Sequence, residues 1–279
     1  MRRFSLYDLF DDFPPLKVID VGASAIDGPP PYQSLFDAGR IELVGFEPDP
    51  DQHRILMALN RPKAVYLPYA IGDGSRGILH ICKAPGMTSL LEPDLEILRH
   101  FHSFADWGTV LRTVPVQTKR LDDIPEVDKA DYLKLDVQGG ELGVLRGACN
   151  MLKQVLVIHI EMQFVPFYKD QPLFAELDQV LRQAGFFFHR FLAITSRVFL
   201  PMMINNNRYA GLSQQLWSDA VYVKRFTDFA HCDTVSLLKI ATILNDFYGS
   251  VDLSALALQH ADRQENNQWM KRYIEAMAD

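Results

Sequence analysis

The sequence predicts an α/β protein: one parallel sheet of seven strands with helices on both faces, followed by a helical end. Three observations carry this expectation. Short apolar runs of strand length alternate with stretches of helical spacing, the arrangement that gives a parallel sheet covered on both sides. Glycine and acidic residues recur just after the strand-like runs. From about residue 233 the pattern turns wholly helical.

The first strand is expected over residues 17–21, followed by Gly22 and a glycine- and proline-rich loop reaching Pro31. A short helix around 32–38, a strand over 41–47, a helix over 49–60 and a strand over 64–70 follow, closed by the turn Gly72-Asp73-Gly74. Between 76 and 123 the alternation breaks into a β-like piece (77–82), the polar turn Met87-Thr88-Ser89, an amphipathic stretch and a strand near 114–118, an insertion of the kind that covers active sites. The alternation resumes with a strand over 131–137, a helix over 141–152, a strand over 155–161, a helix over 173–184, a strand over 186–191 and, past a long loop, a last strand over 216–223. Leu237, Ile240, Ala241, Leu244 and Tyr248 then keep a three-or-four spacing, with Asp233 as cap and Gly249 as stop. Two more helices are expected near 253–260 and 265–277. The organisation read from this is an N-terminal segment (1–16), a main domain (17–224) and a C-terminal helical appendix (225–279).

The 279 residues, 48% hydrophobic and 23% charged, suit one main core. A formal net charge of -7 argues against the basic surface that phosphate backbones require, so no nucleic-acid partner is expected. Cys82, Cys149 and Cys232 lie far apart with no C-x-x-C pair, which fits reduced, packed thiols. Asp8, Asp11 and Asp12 interrupt the stretch after Arg2 and Arg3, and no run approaches the roughly 20 apolar residues of a membrane span. The expectation is a cytoplasmic protein without a transmembrane segment.

In an open α/β sheet, ligands gather at the carboxyl ends of the strands. Asp20, Gly22 and Ala23 follow the first strand, and Glu47 ends the second, placed to accept hydrogen bonds from both hydroxyls of a ribose. The loop from Gly22 to Gly28 lacks the G-x-G-x-x-G spacing that seats a pyrophosphate on a helix, and carries Asp27 where a phosphate would approach. S-adenosylmethionine, which has no phosphate, does not demand that geometry. Asp136 ends the fourth strand and would be costly there unless paired or ligand-bound, with an ion pair to Lys134 as the structural alternative. His159 and Glu161 share one face at the end of the next strand, close to Asp136. His159 is the expected general base for a hydroxyl acceptor, against the alternative of a histidine satisfied within the core. No ligand spacing supports a metal. Asp73 faces either an adenine or only its own turn; Thr88 and Ser89 suit a ligand or a polar turn. Phe164, Phe167 and Tyr168 form either a stacking platform for an acceptor or packing for the sheet edge.

The most specific stretch is Leu121-Asp122-Asp123, then Lys134-Leu135-Asp136-Val137-Gln138-Gly139-Gly140-Glu141, then Val144-Leu145-Arg146-Gly147-Ala148. With Val18-Ile19-Asp20-Val21-Gly22-Ala23, Gly45-Phe46-Glu47-Pro48 and Tyr69-Ala70-Ile71-Gly72-Asp73, it closely resembles the FkbM family of methyltransferases over roughly residues 17–224. The helical end also looks like that of some bacterial members. The resemblance implies a class I methyltransferase sheet, Rossmann-like, whose last strand is antiparallel, with S-adenosyl-L-methionine across the first, second and fourth strand ends. It also implies O-methylation of a sugar, glycan, lipid or polyketide-type hydroxyl, and brings Ile71, Ser89 and Glu141 toward the site. Two departures stand out: Ser24-Ala25-Ile26 stands where the family's D-V-G-A-N-x-G continues with N-x-G, and Gln138 replaces the first acid of V-E-G-x-E.

The reading is therefore an S-adenosylmethionine-dependent O-methyltransferase, with Asp20, Gly22, Ala23, Glu47, Ile71, Asp73, Ser89 and Asp136 at the cofactor and His159, Asp136 and Glu161 at the reaction. The C-terminal helices are expected to pack on the domain or to join two copies. A nucleotide-dependent oxidoreductase and a cofactor-binding interaction module are the alternatives.

Overall fold

In the computed structural model, residues 5–10, 13–24, 26 and 28–278 are described. Arg2, Arg3, Asp11 and Asp12 of the N-terminal segment, and Ala25 and Asp27 of the first loop, lie outside them. The chain runs β1 (Leu16–Val21), α1 (Gln33–Asp37), β2 (Ile41–Phe46), α2 (Pro50–Ala58), β3 (Ala64–Leu67), β4 (Arg76–Cys82), α3 (Leu95–Leu98), α4 (Phe104–Trp107), β5 (Val110–Gln117) and β6 (Tyr132–Leu135). It continues through α5 (Glu141–Arg146), α6 (Met151–Gln154), β7 (Val157–Gln163), α7 (Phe174–Gln183), β8 (Phe186–Ser196), β9 (Gln215–Lys224), α8 (Thr234–Tyr248), α9 (Val251–Glu265) and α10 (Trp269–Ala278).

Seven strands form the main sheet in the order β3-β2-β1-β6-β7-β9-β8, with β9 antiparallel to both neighbours and the β1, β2, β3, β6 and β7 pairings parallel. The order reverses between β1 and β6, so their carboxyl ends diverge around a crevice. The inserted strands β4 and β5 pair only with each other, as an antiparallel ribbon. With α3 and α4 they frame a small aromatic core of Leu98, Phe101, Phe104, Phe167 and Tyr168.

Each sheet face buries its own cluster. Ile19, Leu133, Leu135, Ile158 and Ile160 meet Leu142, Val144, Leu145, Leu177 and Leu181 of α5 and α7. The opposite face, with Val18, Tyr132, Val157 and Val221, meets Leu237, Ile240, Ala241 and Leu244 of α8 and Ala257, Leu258 and Ala261 of α9. The crossover between β1 and β2 yields only the five-residue α1, too little apolar surface to close this face. The C-terminal helices supply the missing layer, and Tyr132 fixes it through its ring edge on Phe247 (5.1 Å) and its hydroxyl on Tyr248 (2.7 Å). Asp233 caps α8 by accepting the Ser236 amide, and Gly249 ends it with φ 63°, a left-handed conformation suited to glycine.

Several element bounds shift from the sequence expectation, and two of the shifts have a plain structural cause. The helix over 141–152 is split at Gly147, where a Cβ would sit 2.0 Å from the Gly72 carbonyl oxygen, so a close backbone crossing interrupts it. The strand over 186–191 extends to Ser196, because β9 offers it a longer partner. No helix of the described residues is long and apolar enough to cross a membrane.

Candidate active site

The carboxyl ends of β1, β2 and β6 border a cleft that is open to solvent. Gly22 makes its floor. With φ 83° and a would-be Cβ 1.8 Å from the Asp136 carbonyl oxygen, this position admits no side chain while the two strand ends meet. The Gly22 and Ala23 amides both donate to the Phe46 carbonyl, and the Asp136 amide donates to Val21, so three strand ends are laced together. Phe46, Tyr69, Ile71 and Leu79 give the cleft apolar walls.

Glu47 faces this cleft at 7% exposure. One carboxylate oxygen accepts the Asp49 amide at 2.8 Å and the other the Ser24 hydroxyl at 2.7 Å. Burial pushes its acid up, opposed by those two donors. Asp49 and Asp136 also line the cleft, and no lysine, arginine or histidine stands among its described lining residues.

The loop from Asp136 to Glu141 is the most organised part of the site. Glu141, fully buried, accepts the amides of Val137 (3.0 Å) and Gly139 (3.2 Å), while its second oxygen has no partner. Burial pushes this acid up to about 7, against the backbone donors. Its carboxyl therefore clamps the loop and does not face the cleft. Ser89 pins the same loop by donating to the Gln138 carbonyl at 2.7 Å. Gln138, held at φ 56°, donates its amide to Asp136 (2.9 Å) and Glu161 (3.0 Å) and accepts the Tyr168 hydroxyl (3.3 Å).

Of the expected cofactor residues, Gly22, Glu47, Ile71, Ser89 and Asp136 line the cleft. Three do not. Asp20 points to the other sheet face, where it accepts the Tyr32 hydroxyl (2.6 Å) and pairs with Lys134 (3.3 Å). Ala23 borders that same polar basin, and Asp73 accepts the Ser75 amide within its own exposed turn. Lys134 also reaches Asp136 at 3.4 Å; burial works against its ammonium, but the two carboxylates outweigh that and hold it charged.

His159, Asp136 and Glu161 do come together around the polar basin. The expectation of His159 as proton acceptor meets a crowded setting. It is 4% exposed, its Nδ1 lies 3.2 Å from the Tyr248 hydroxyl and its Nε2 3.4 Å from Asp219, so both ring nitrogens are engaged. Burial raises Asp219, but the hydrogen bond and charge of His159, with Lys134, hold its carboxyl below the usual range. Glu161 stands nearer the opening: it borders both the basin and a second cavity, with Oε2 accepting the Gln163 amide at 2.6 Å as well as Gln138.

That second cavity adjoins the cleft, sharing Ile26, Gly86 and Gln138 with it, and is walled by Phe104, Trp107, Phe167 and Trp217. The aromatic expectation thus divides: Phe167 lines the cavity, Phe164 packs on Phe174 and Phe191 at the sheet edge, and Tyr168 is buried beneath. Sequence reasoning missed Ser24 and the bridging role of Gln138, although both stand where the sequence leaves the family pattern. It also missed Gln163, Arg197 and Trp217, which only the β7-β9-β8 pairing brings to the site.

A sheet in this order with one antiparallel strand, and a carboxylate-lined cleft where it reverses, is the build of a class I methyltransferase. The family model of the methyltransferase FkbM domain matches residues 20–188, and the chain belongs to that family. No curated protein matches significantly. Similar solved structures include a putative methyltransferase from Thermoplasma acidophilum (10% identity, 76% of this chain and 69% of that one, TM-score 0.40). Magnesium protoporphyrin IX methyltransferase from Synechocystis PCC 6803, solved with bound S-adenosylmethionine, is 14% identical over 76% of this chain and 72% of that one, with TM-score 0.38. A precorrin-6y C5,15-methyltransferase from Geobacter metallireducens is 12% identical over 78% and 84%, also at 0.38. These likenesses are distant, and the assignment rests on the family match.

Proposed function

We propose that this methyltransferase takes its methyl group from S-adenosylmethionine and delivers it to a hydroxyl oxygen of a sugar, glycan, lipid or polyketide-type acceptor. The observation that carries the cofactor is the carboxylate of Glu47 at the end of β2, held by the neutral donors of Ser24 and the Asp49 amide, whereas Asp49 and Asp136 have Arg112 (3.9 Å) and Lys134 (3.4 Å) beside them. A carboxylate there suits vicinal hydroxyl donors and disfavours a pyrophosphate. A dinucleotide would also need a helix N-terminus directly after Gly22, whereas α1 begins only at Gln33. When bound, S-adenosylmethionine supplies a methyl group on a sulfonium, open to direct displacement.

Glu47 would accept the ribose hydroxyls, with Ser24 and the Asp49 amide fixing its carboxylate, while Phe46, Tyr69, Ile71 and Leu79 cover the base. Asp136 lies between cleft and basin, 3.4 Å from the Lys134 ammonium. A hydroxyl acceptor needs a group to receive its proton, a service worth roughly 10²- to 10⁴-fold. Glu161 takes that role here, because it borders the acceptor cavity and is oriented by the amides of Gln138 and Gln163. His159, engaged by Tyr248 and Asp219, acts as a positioning residue behind it. The rest of the rate comes from aligning two ligands in adjoining spaces.

Incubating the protein with methyl-labelled S-adenosylmethionine and an extract of small metabolites and glycans tests the reading. Labelled products with the methyl on oxygen, identified by mass spectrometric fragmentation, are expected. Label found only on nitrogen, sulfur or carbon would contradict the choice of acceptor atom.

A further inference from the structure

Two residues that line the aromatic cavity beside the cleft, Arg197 and Gln163, each keep a buried polar atom with no partner, the Nε of Arg197 and the Oε1 of Gln163. One is a donor and the other an acceptor, yet they do not satisfy each other. Gln163 is 1% exposed and its amide nitrogen is already committed to Glu161. Arg197 gives Nη1 to the Ser196 carbonyl at 2.9 Å and lies over the Trp217 ring at 5.4 Å, and no ion pair joins it to a described carboxylate. A guanidinium stays charged under any ordinary condition, so the cavity wall carries a cation without a counter-ion. Around it the rings of Phe167 and Trp217 stand edge to face at 5.8 Å, and Phe104 meets Phe167 at 5.6 Å.

We propose that this cavity selects an acceptor ring bearing an anionic oxygen group, a carboxylate or a phosphate. The anion sits on the guanidinium of Arg197, and the ring lies against Trp217 and Phe167. The inference deepens the methyltransferase reading and rests on it, since the acceptor must reach Glu161 and the adjoining cleft. Neutral sugars would leave the half-buried guanidinium without a counter-ion, which is the basis of discrimination by charge.

Calorimetry with the full chain saturated by S-adenosylhomocysteine tests it, using phenyl β-glucuronide, glucose 1-phosphate and neutral phenyl β-glucoside as probes. At least one anionic probe is expected to bind about tenfold more tightly than the glucoside, and which one does so separates carboxylate from phosphate. Arg197→Gln should erase the preference and Arg197→Lys should keep part of it, with S-adenosylhomocysteine binding unchanged in both as the check on folding. Equal binding of charged and neutral probes, no binding of either anion, or a preference that survives Arg197→Gln would overturn the proposal while leaving the cofactor reading intact. Failure of the native chain to bind S-adenosylhomocysteine would instead strike the reading beneath it, and the proposal with it.

Discussion

The Nε2 of Gln138 donates to the Oε2 of Glu161 at 3.0 Å, tying the loop after β6 to the end of β7. The same nitrogen holds Asp136 at 2.9 Å, so one neutral amide keeps two carboxylates in place between the cleft and the aromatic cavity. This explains why an amide can stand where the family pattern has an acid: a third carboxylate would meet two others.

Gln138→Glu is therefore expected to disturb both carboxylates, because it removes the amide they share and adds a third negative charge. Methyl transfer should fall by about tenfold or more, with S-adenosylhomocysteine affinity changed less than about threefold. Unchanged turnover would show that this amide does not hold the pair.

Glu161→Gln should lower methyl transfer into a metabolite extract by about a hundredfold or more, with cofactor affinity preserved, because it removes the proton acceptor while keeping its shape. His159→Gln should cost less than about tenfold and leave the pH profile in place. A larger loss in His159→Gln together with disappearance of the acid limb would return the base role to the histidine.

Glu141 sets a stability dependence on pH. Its acid is raised from an ordinary 4.5 to about 7 in the folded chain, so folded protein holds that proton more tightly than unfolded chain. Its contribution is present in full below about pH 4.5 and is lost as pH rises through 7, a change on the order of 3 kcal/mol. Glu141→Gln keeps the oxygen that receives the Val137 and Gly139 amides and carries no titrating proton. Denaturant unfolding at pH 5 and pH 8 should show a smaller decline in this variant than in the native chain; equal declines would mean that Glu141 does not titrate in that window.

The strands, the Asp233 cap, the Gly249 stop and the placement of Glu47 were legible because each depends on local spacing or on position at a strand end. Asp20 and Asp136 show the limit. Asp136 follows a strand, but Asp20 lies within β1 on the face of Val18, and only the register that sets it beside Lys134 shows that its charge is spent on the opposite side of the sheet. The break at Gly147 depends on a carbonyl from a distant loop. His159 reads as a base in sequence because its partners, Asp219 and Tyr248, arrive from β9 and α8, sixty and more residues later. The acceptor cavity was illegible for the same reason: Phe104, Phe167, Arg197 and Trp217 belong to four separate segments.

The central claim is that the acidic cleft at β1, β2 and β6 holds S-adenosylmethionine through Glu47. Calorimetric titration of the native chain and of Glu47→Ala with S-adenosylhomocysteine tests it most directly. Losing the carboxylate that accepts the ribose hydroxyls should weaken binding about ten- to a hundredfold, or roughly 1.5 to 3 kcal/mol, in a variant whose unfolding remains cooperative. Native affinity in a folded Glu47→Ala protein would contradict the account.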